Sequence, residues 1–335
     1  MGAVRRTGAL ETVTRLSGSI RRSAWPWLGL VLIGLVVYPL LVSRYYIALS
    51  TEVVILALLA TSYNLIFGYA GMVSFGHAAF FGLGAYAMAL LTKTYGSPML
   101  VGLLAAPVVA AAFAFVIGWF CMRTIRLYFS LLTLAFAQLL WVIVFQWYTF
   151  TGGSDGIQGV PRPEFVASYA TYYYFTLAVM ILCMLLMWFI VNSPFGWSLR
   201  AIRENTHRSQ FLGINDRFYK LIAFTIAGAF AGVAGALYCQ FQKWADPDIL
   251  FWTTSANPVL MSILGGMFSF IGPSVGAVAF VVLREVIKVR TDYWPLVLGM
   301  VLLTLVLTLP GGIVGFVVDR SRLFVSSRKG TTLAQ

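Results

Sequence analysis

The chain has 335 residues, 60% of them hydrophobic and 10% charged, a balance that excludes a water-soluble surface for most of its length and calls for lipid as the solvent. Its formal charge of +12 does not point to nucleic acid, because the basic residues sit in short loops between apolar runs and form no clustered basic face. Cys121, Cys183 and Cys239 fall inside or at the ends of apolar runs without CxxC spacing, so neither a metal site nor a disulfide framework is implied.

In chain order, residues 1–24 form a basic tail carrying Arg5, Arg6, Arg15, Arg21 and Arg22. The apolar run at 25–43 is followed by Ser43-Arg44-Tyr45-Tyr46, which is no small-residue cleavage site, so the run reads as an uncleaved first helix. Further runs predict helices at 47–67, 72–92, 98–121, 128–148, 172–191, 221–241, 257–270, 274–290 and 294–310. A transmembrane domain over 25–318, with a cytoplasmic loop at 192–220, then ends in a tail at 319–335. The runs are apolar on every face, not in short alternating segments, which excludes a β-barrel. The expected fold is an all-α polytopic membrane protein of about ten transmembrane helices in two pseudo-symmetric halves.

With the basic tail in the cytoplasm, Arg123, Arg126, the five basic residues between 192 and 220, and Arg320, Arg322, Arg328 and Lys329 fall on the same side. That asymmetry is the positive-inside pattern for two cytoplasmic termini.

The third and eighth segments are expected to be broken or short. Gly68, Gly71, Gly76, Gly82 and Gly84 interrupt one, while Gly265, Gly266, Gly272 and Pro273 flank the other. Gly71-Met72-Val73-Ser74-Phe75 recurs as Gly266-Met267-Phe268-Ser269-Phe270, which suggests an internal duplication. Ser74, Ala78 and Gly82 recur every fourth residue, as do Gly228, Gly232 and Ala236, giving ridges of small side chains that let helices approach closely. Polar groups at membrane depth are costly without partners or water. Asn64, Ser74 and His77, with Gly71, Gly76, Gly266 and Ser269 in the two glycine words, are therefore the candidate lining of a substrate pathway; tight packing is the plainer role for each. Glu52 and Glu285 are the carboxylates within the predicted spans, and Lys288 lies one turn beyond Glu285 at a spacing that allows pairing.

The outer loop Thr151-Gly152-Gly153-Ser154-Asp155-Gly156, with Pro161 and Pro163 after it, is turn chemistry in which Ser154 and Asp155 could dock an external partner. In the long inner loop the pattern from Trp197 to Leu212 is that of one short amphipathic helix ended by Gly213. Trp197, Arg200, Ile202, Arg203, Glu204, Arg208, Leu212 and Gly213 are the candidate contacts to a groove on a soluble partner, with anionic lipid as the alternative.

Six stretches carry a resemblance: Asn64 to Leu91, TLAFAQ at 133–138, TGGSDGIQGVP at 151–161, LRAIRENTHRSQFLGIN at 199–215, ILGGMFSFIGPSVGA at 263–277 and LPGGIVGF at 309–316. Together, in this order, they resemble the LivM-type permeases of high-affinity branched-chain amino-acid ABC importers. The resemblance implies a LivH-type permease as partner, LivG-type and LivF-type ATPases that bind ATP and Mg, and an extracytoplasmic amino-acid-binding protein, all at the bacterial cytoplasmic (inner) membrane. It also implies that 194–213 is the coupling segment received by an ATPase. The chain departs from the family at Thr206, His207 and Arg208, where relatives commonly carry an acidic residue, an apolar residue and Ala.

None of the five lysines, Lys93, Lys220, Lys243, Lys288 and Lys329, follows a glycine, so the Gly-Lys pair of a Walker A loop is missing and the chain itself is expected to bind no cofactor and to be no enzyme. A secondary transporter or channel working alone would need midplane carboxylates or a filter. A membrane enzyme would need more than His77 and His207 in unrelated segments. Urea, short amides and aromatic acids are the alternative substrates within the importer class.

Overall fold

Long apolar runs can satisfy their backbone polar groups in hydrocarbon by closing each hydrogen bond within one helix, and the computed structural model is built almost entirely in this way. It describes residues 34–316 except 41, 125 and 310. The tails at 1–24 and 319–335, and part of the first predicted helix, lie outside the described residues. The chain divides into two compact units, Met1–Leu49 and Ser50–Gln335. In the first, residues 34–40 are helical.

Apart from the single turn Tyr148–Thr151, the α-helices from Arg44 onward are α1 (Arg44–Asn64, extended by a π turn Leu65–Tyr69), α2 (His77–Ala89, extended by a π turn Leu90–Thr94), α3 (Met99–Cys121), α4 (Arg126–Gln146), α5 (Tyr169–Asn192), α6 (Pro194–Glu204), α7 (Thr206–Phe211), α8 (Asp216–Gln242), α9 (Trp252–Gly265), α10 (Gly272–Lys288) and α11 (Trp294–Thr308). Among the described residues, six helices are long and apolar enough to cross a membrane: Arg44–Tyr69, Met99–Cys121, Leu127–Gln146, Tyr169–Asn192, Asp216–Gln242 and Trp294–Phe316. The protein is an all-α polytopic membrane protein. One two-residue ladder departs from this pattern, with β1 (Ile157–Gln158) antiparallel to β2 (Trp244–Ala245).

The small-residue ridge of α8 performs the close packing its spacing predicts. A side chain at Gly228 would meet the Ala114 Cβ at 2.5 Å, and one at Gly232 would meet Ala110 at the same distance, so α8 and α3 touch along this seam. On a second face, a Cβ at Gly235 would lie 1.8 Å from the Phe81 carbonyl of α2. The companion ridge starts later than expected, because Ser74 precedes α2 and accepts a hydrogen bond from Gly76 N at 3.2 Å.

The structure corrects three local expectations. Both Gly-Met-x-Ser-Phe words lie outside helices, one before α2 and the other after α9. Gly71 (φ +69°) and Gly266 (φ +111°) occupy left-handed backbone that an α-helix cannot contain. The amphipathic segment at 197–212 is two helices instead of one. Asn205 leaves helical geometry (φ −155°, ψ 100°) and its side chain caps α7 by accepting from Arg208 N at 3.0 Å. Glu285 pairs with Arg284 at 3.0 Å, within a cluster that also takes Glu52, a partner the spacing to Lys288 did not suggest.

A candidate coupling node

The glycine breaks lie at the same end of the helix bundle as α6 and α7. The opposite end holds the β1–β2 ladder, the Lys93 bond to the Gln158 carbonyl and the Trp141–Phe251 ring pair. At the first end the turn that precedes the first word meets the second word. Gly68 lies so close to the Met267 carbonyl that an added Cβ would stand 2.2 Å from it, and Asn64 Nδ2 donates to the Ser269 carbonyl at 3.4 Å. Gly266 in turn meets a third glycine pair: a Cβ on Gly312 would lie 2.4 Å from Gly266 N. Three segments far apart in sequence thus approach at backbone distance, which only glycine permits.

Arg203 joins this point to α6. Its guanidinium donates to the Gly68 carbonyl, stands 5.1 Å from the centre of the Phe268 ring, and its stem packs against Gly71, where a Cβ would lie 2.7 Å from Arg203 Cγ. One arginine therefore holds both glycine words. Arg200, one turn earlier, stacks on Tyr69 at 5.1 Å and on Trp197 at 4.8 Å. Leu199 and Ile202 are buried, so α6 presents its apolar face and Arg203 to the bundle. Ile202 is therefore not on the outer face. That face carries Trp197 (61% exposed), Glu204, His207, Arg208, Phe211 (92%) and Leu212 (74%). Gly213 (φ +81°) ends α7 in a Schellman turn, with Ile214 N donating to the Ser209 carbonyl and Gly213 N to that of Gln210.

The first break is held from α4. Ser130 Oγ donates to the Val73 carbonyl at 2.6 Å, and Phe75 N donates to Thr133 Oγ1 at 3.3 Å. Ser255 of α9 accepts from Ala78 N at 3.0 Å and so caps α2. Such short polar bonds fix helices to one another where apolar burial gives little preference. His77 is fully buried between the rings of Tyr63 and Phe80, with Nε2 3.0 Å from Ser62 Oγ. Asn64 and Ser74 are likewise buried, Gly76 lies against the Thr133 carbonyl, and Gly71 is exposed. Of the candidate lining residues, Asn64, Gly71, Gly266 and Ser269 meet at the node, while Ser74, Gly76 and His77 sit behind it.

At the opposite end Ser154 and Asp155 are exposed on a 3-10 turn, Gly153–Asp155, with Ser154 Oγ donating to Asp155 Oδ1 at 3.3 Å. Arg162 ties the adjoining loop to the end of α8 by donating to the Gln240 carbonyl at 2.8 Å and the Phe241 carbonyl at 2.9 Å, with its guanidinium 4.4 Å from the Tyr172 ring centre. Burial lowers its pKa from the ordinary arginine value, an effect opposed by the nearby Tyr172 and Tyr169. α8 thus runs as one helix from the loop after α7 to the loop held by Arg162.

Sequence reading missed Arg284, Phe268 and Phe211. Arg284 was visible as a charge beside Glu285 in an apolar run, but its partner Glu52 is 232 residues away.

A bundle of membrane helices with an amphipathic helix seated through Arg203 on its glycine breaks has the construction of a membrane transport component. The chain belongs to the family described as branched-chain amino acid transport system / permease component, which matches residues 45–307; its members are transport components and not enzymes. The chain is 28% identical over 322 residues to the high-affinity branched-chain amino acid transport system permease protein LivM of Escherichia coli (strain K12), covering 88% of this chain and 76% of the relative. It is 28% identical over 281 residues to the corresponding LivH protein of Salmonella typhimurium, covering 77% and 91%. A guanosine ABC transporter permease protein, NupP of Bacillus subtilis, is 30% identical over 151 residues, covering 44% and 39%. No solved structure matches the chain.

Proposed function

We propose that this chain is the substrate-conducting permease of an ATP-binding-cassette importer for branched-chain amino acids, working by alternating access beside a second, LivH-type permease. Two partner ATPases of the LivG and LivF type bind ATP and Mg, and an extracytoplasmic binding protein delivers substrate to the end that carries Ser154 and Asp155. The α6–α7 end faces the cytoplasm, as do both termini, in the bacterial inner membrane. The reading includes ten crossings, in which the six long helices are joined by the shorter α2, α9 and α10 and by the apolar run at 25–43. The paired glycine words in two helix–break–helix units support a pseudo-symmetric origin.

The observation that carries this reading is the Arg203 node. Closure of the ATPases against Trp197, Glu204, Arg208, Phe211 and Leu212 displaces α6, and Arg203 passes that displacement to the breaks around Gly71 and Gly266. The departures at Thr206, His207 and Arg208 match the chain to its own ATPase. Branched-chain amino acids are favoured over nucleosides because the relatives named for them align over most of the chain, while the guanosine relative aligns over less than half.

Purification of the tagged chain from its native membrane tests the proposal. Two ATPases should co-purify, and proteoliposomes of the complex should take up leucine only with ATP inside and binding protein outside. Leucine uptake driven by an ion gradient in the absence of any ATPase would overturn it.

A further inference from the structure

A second cluster of charge lies toward the opposite end of the bundle from Arg203. Arg284 of α10 donates to both carboxylate oxygens of Glu52 at 2.9 Å, from Nη1 and Nη2, and to Glu285 Oε1 from Nε and Nη2 at 3.2 and 3.0 Å. These bonds engage four of the five guanidinium N–H groups and leave one on Nη1. The three side chains are only about a fifth exposed. Such a cluster is costly inside a membrane helix bundle and marks a place where a polar ligand or water is met.

Arg284 also lines a cavity of about 380 Å³ between α9, α10 and α11, a size within the roughly 300–1,000 Å³ of small-molecule sites. Its walls differ in chemistry. Thr254, Asn257 and Arg284 are polar, whereas Leu260, Phe280 and Leu298 are apolar. A lipid tail would leave the Asn257 amide and the last Arg284 N–H facing hydrocarbon, although Thr254 is already bonded to the Asp248 carbonyl. A water-filled pocket would leave the apolar wall wet.

We propose that this cavity is a transient binding subsite for a zwitterionic amino acid with an aliphatic side chain. The carboxylate takes the remaining Arg284 N–H and the Asn257 amide, and the side chain lies against Leu260, Phe280 and Leu298. The ammonium group of the zwitterion offsets the second carboxylate of the cluster, and the substrate carboxylate remains necessary to engage Arg284 and Asn257. The proposal rests on the permease reading and adds to it a location for substrate within this chain.

The test uses the purified complex of this chain with its partner permease and ATPases, free of binding protein, and measures [3H]leucine binding. Saturable binding should appear, competed by isoleucine and not by leucinol, which lacks the carboxylate. Gly299 borders the cavity and nothing lies within 4 Å of a Cβ placed on it, so Gly299→Leu fills the space. Both Gly299→Leu and Asn257→Leu should weaken binding at least tenfold while still co-purifying with the partners. Wild-type binding by both variants, or no saturable binding by the unmodified complex, overturns the subsite. ATP-driven leucine uptake by the same preparations, reconstituted in proteoliposomes with binding protein added outside, separates the two readings. Uptake by the unmodified complex without leucine binding removes only the subsite, whereas absence of uptake removes the permease reading and the subsite with it.

Discussion

Replacing Arg203 with alanine removes the side chain that bridges α6 to both glycine words. The lost hydrogen bond to the Gly68 carbonyl carries a full charge on its donor, an interaction of about 1.5–3 kcal/mol. The guanidinium over Phe268, a ring that is itself exposed, adds about 0.5–1 kcal/mol. The total, about 2–4 kcal/mol, corresponds to a roughly 30- to 1,000-fold weaker preference of α6 for the node. Leucine moved per ATP hydrolysed, measured in proteoliposomes, should fall at least thirtyfold. Hydrolysis itself continues, because the outer face of α6 and α7 is untouched. Arg203→Lys keeps a charged donor but not the planar group over Phe268, and should fall between the two. An Arg203→Ala protein that moves as much leucine per ATP as the unmodified one refutes the node as the path of coupling.

Other perturbations probe neighbouring parts. Gly68→Ala would push a methyl group to 2.2 Å from the Met267 carbonyl and 2.4 Å from Asn64 Oδ1, an overpacking cost of about 1–3 kcal/mol; the thermal midpoint of the detergent-solubilised protein should drop, and an unchanged midpoint would mean the two breaks do not meet. His77→Ala removes the contact of its ring to Ser62, which keeps its own bond to the Leu59 carbonyl, and opens space between Tyr63 and Phe80, so stability should fall by about 0.5–3 kcal/mol. The surviving protein should keep its preference between leucine and valine, and an altered preference would put His77 in the path. Asn205→Ala removes the cap of α7 at a cost of about 1 kcal/mol. Less ATPase should then be retained on an affinity column, and full retention would exclude α7 from the docking face.

Much of the fold was legible because lipid imposes simple rules. Apolar length marked the six helices long enough to cross a membrane, and the spacing of Gly228 and Gly232 marked a packing seam, because both depend on properties local to one helix. The breaks were legible as glycine words but not as geometry. Whether Gly71 or Gly266 enters left-handed backbone depends on what the neighbouring chain offers, and both are held by segments distant in sequence. The split of the inner loop was similarly hidden, because Asn205 can sit in a helix or cap the next one.

Residue order alone is enough to establish a membrane-embedded helical protein, the places of its glycine interruptions and the loop that is amphipathic. Composition and periodicity suffice for that, since each residue's choice of water, lipid or protein is set largely by its own side chain. It takes the packed helices to show that Arg203 reaches Gly68 and Phe268, that Ile202 turns inward while Phe211 turns outward, and that Arg284 answers Glu52. Those pairings join residues up to 232 positions apart. They arise when helices pack against one another, and no local pattern encodes them.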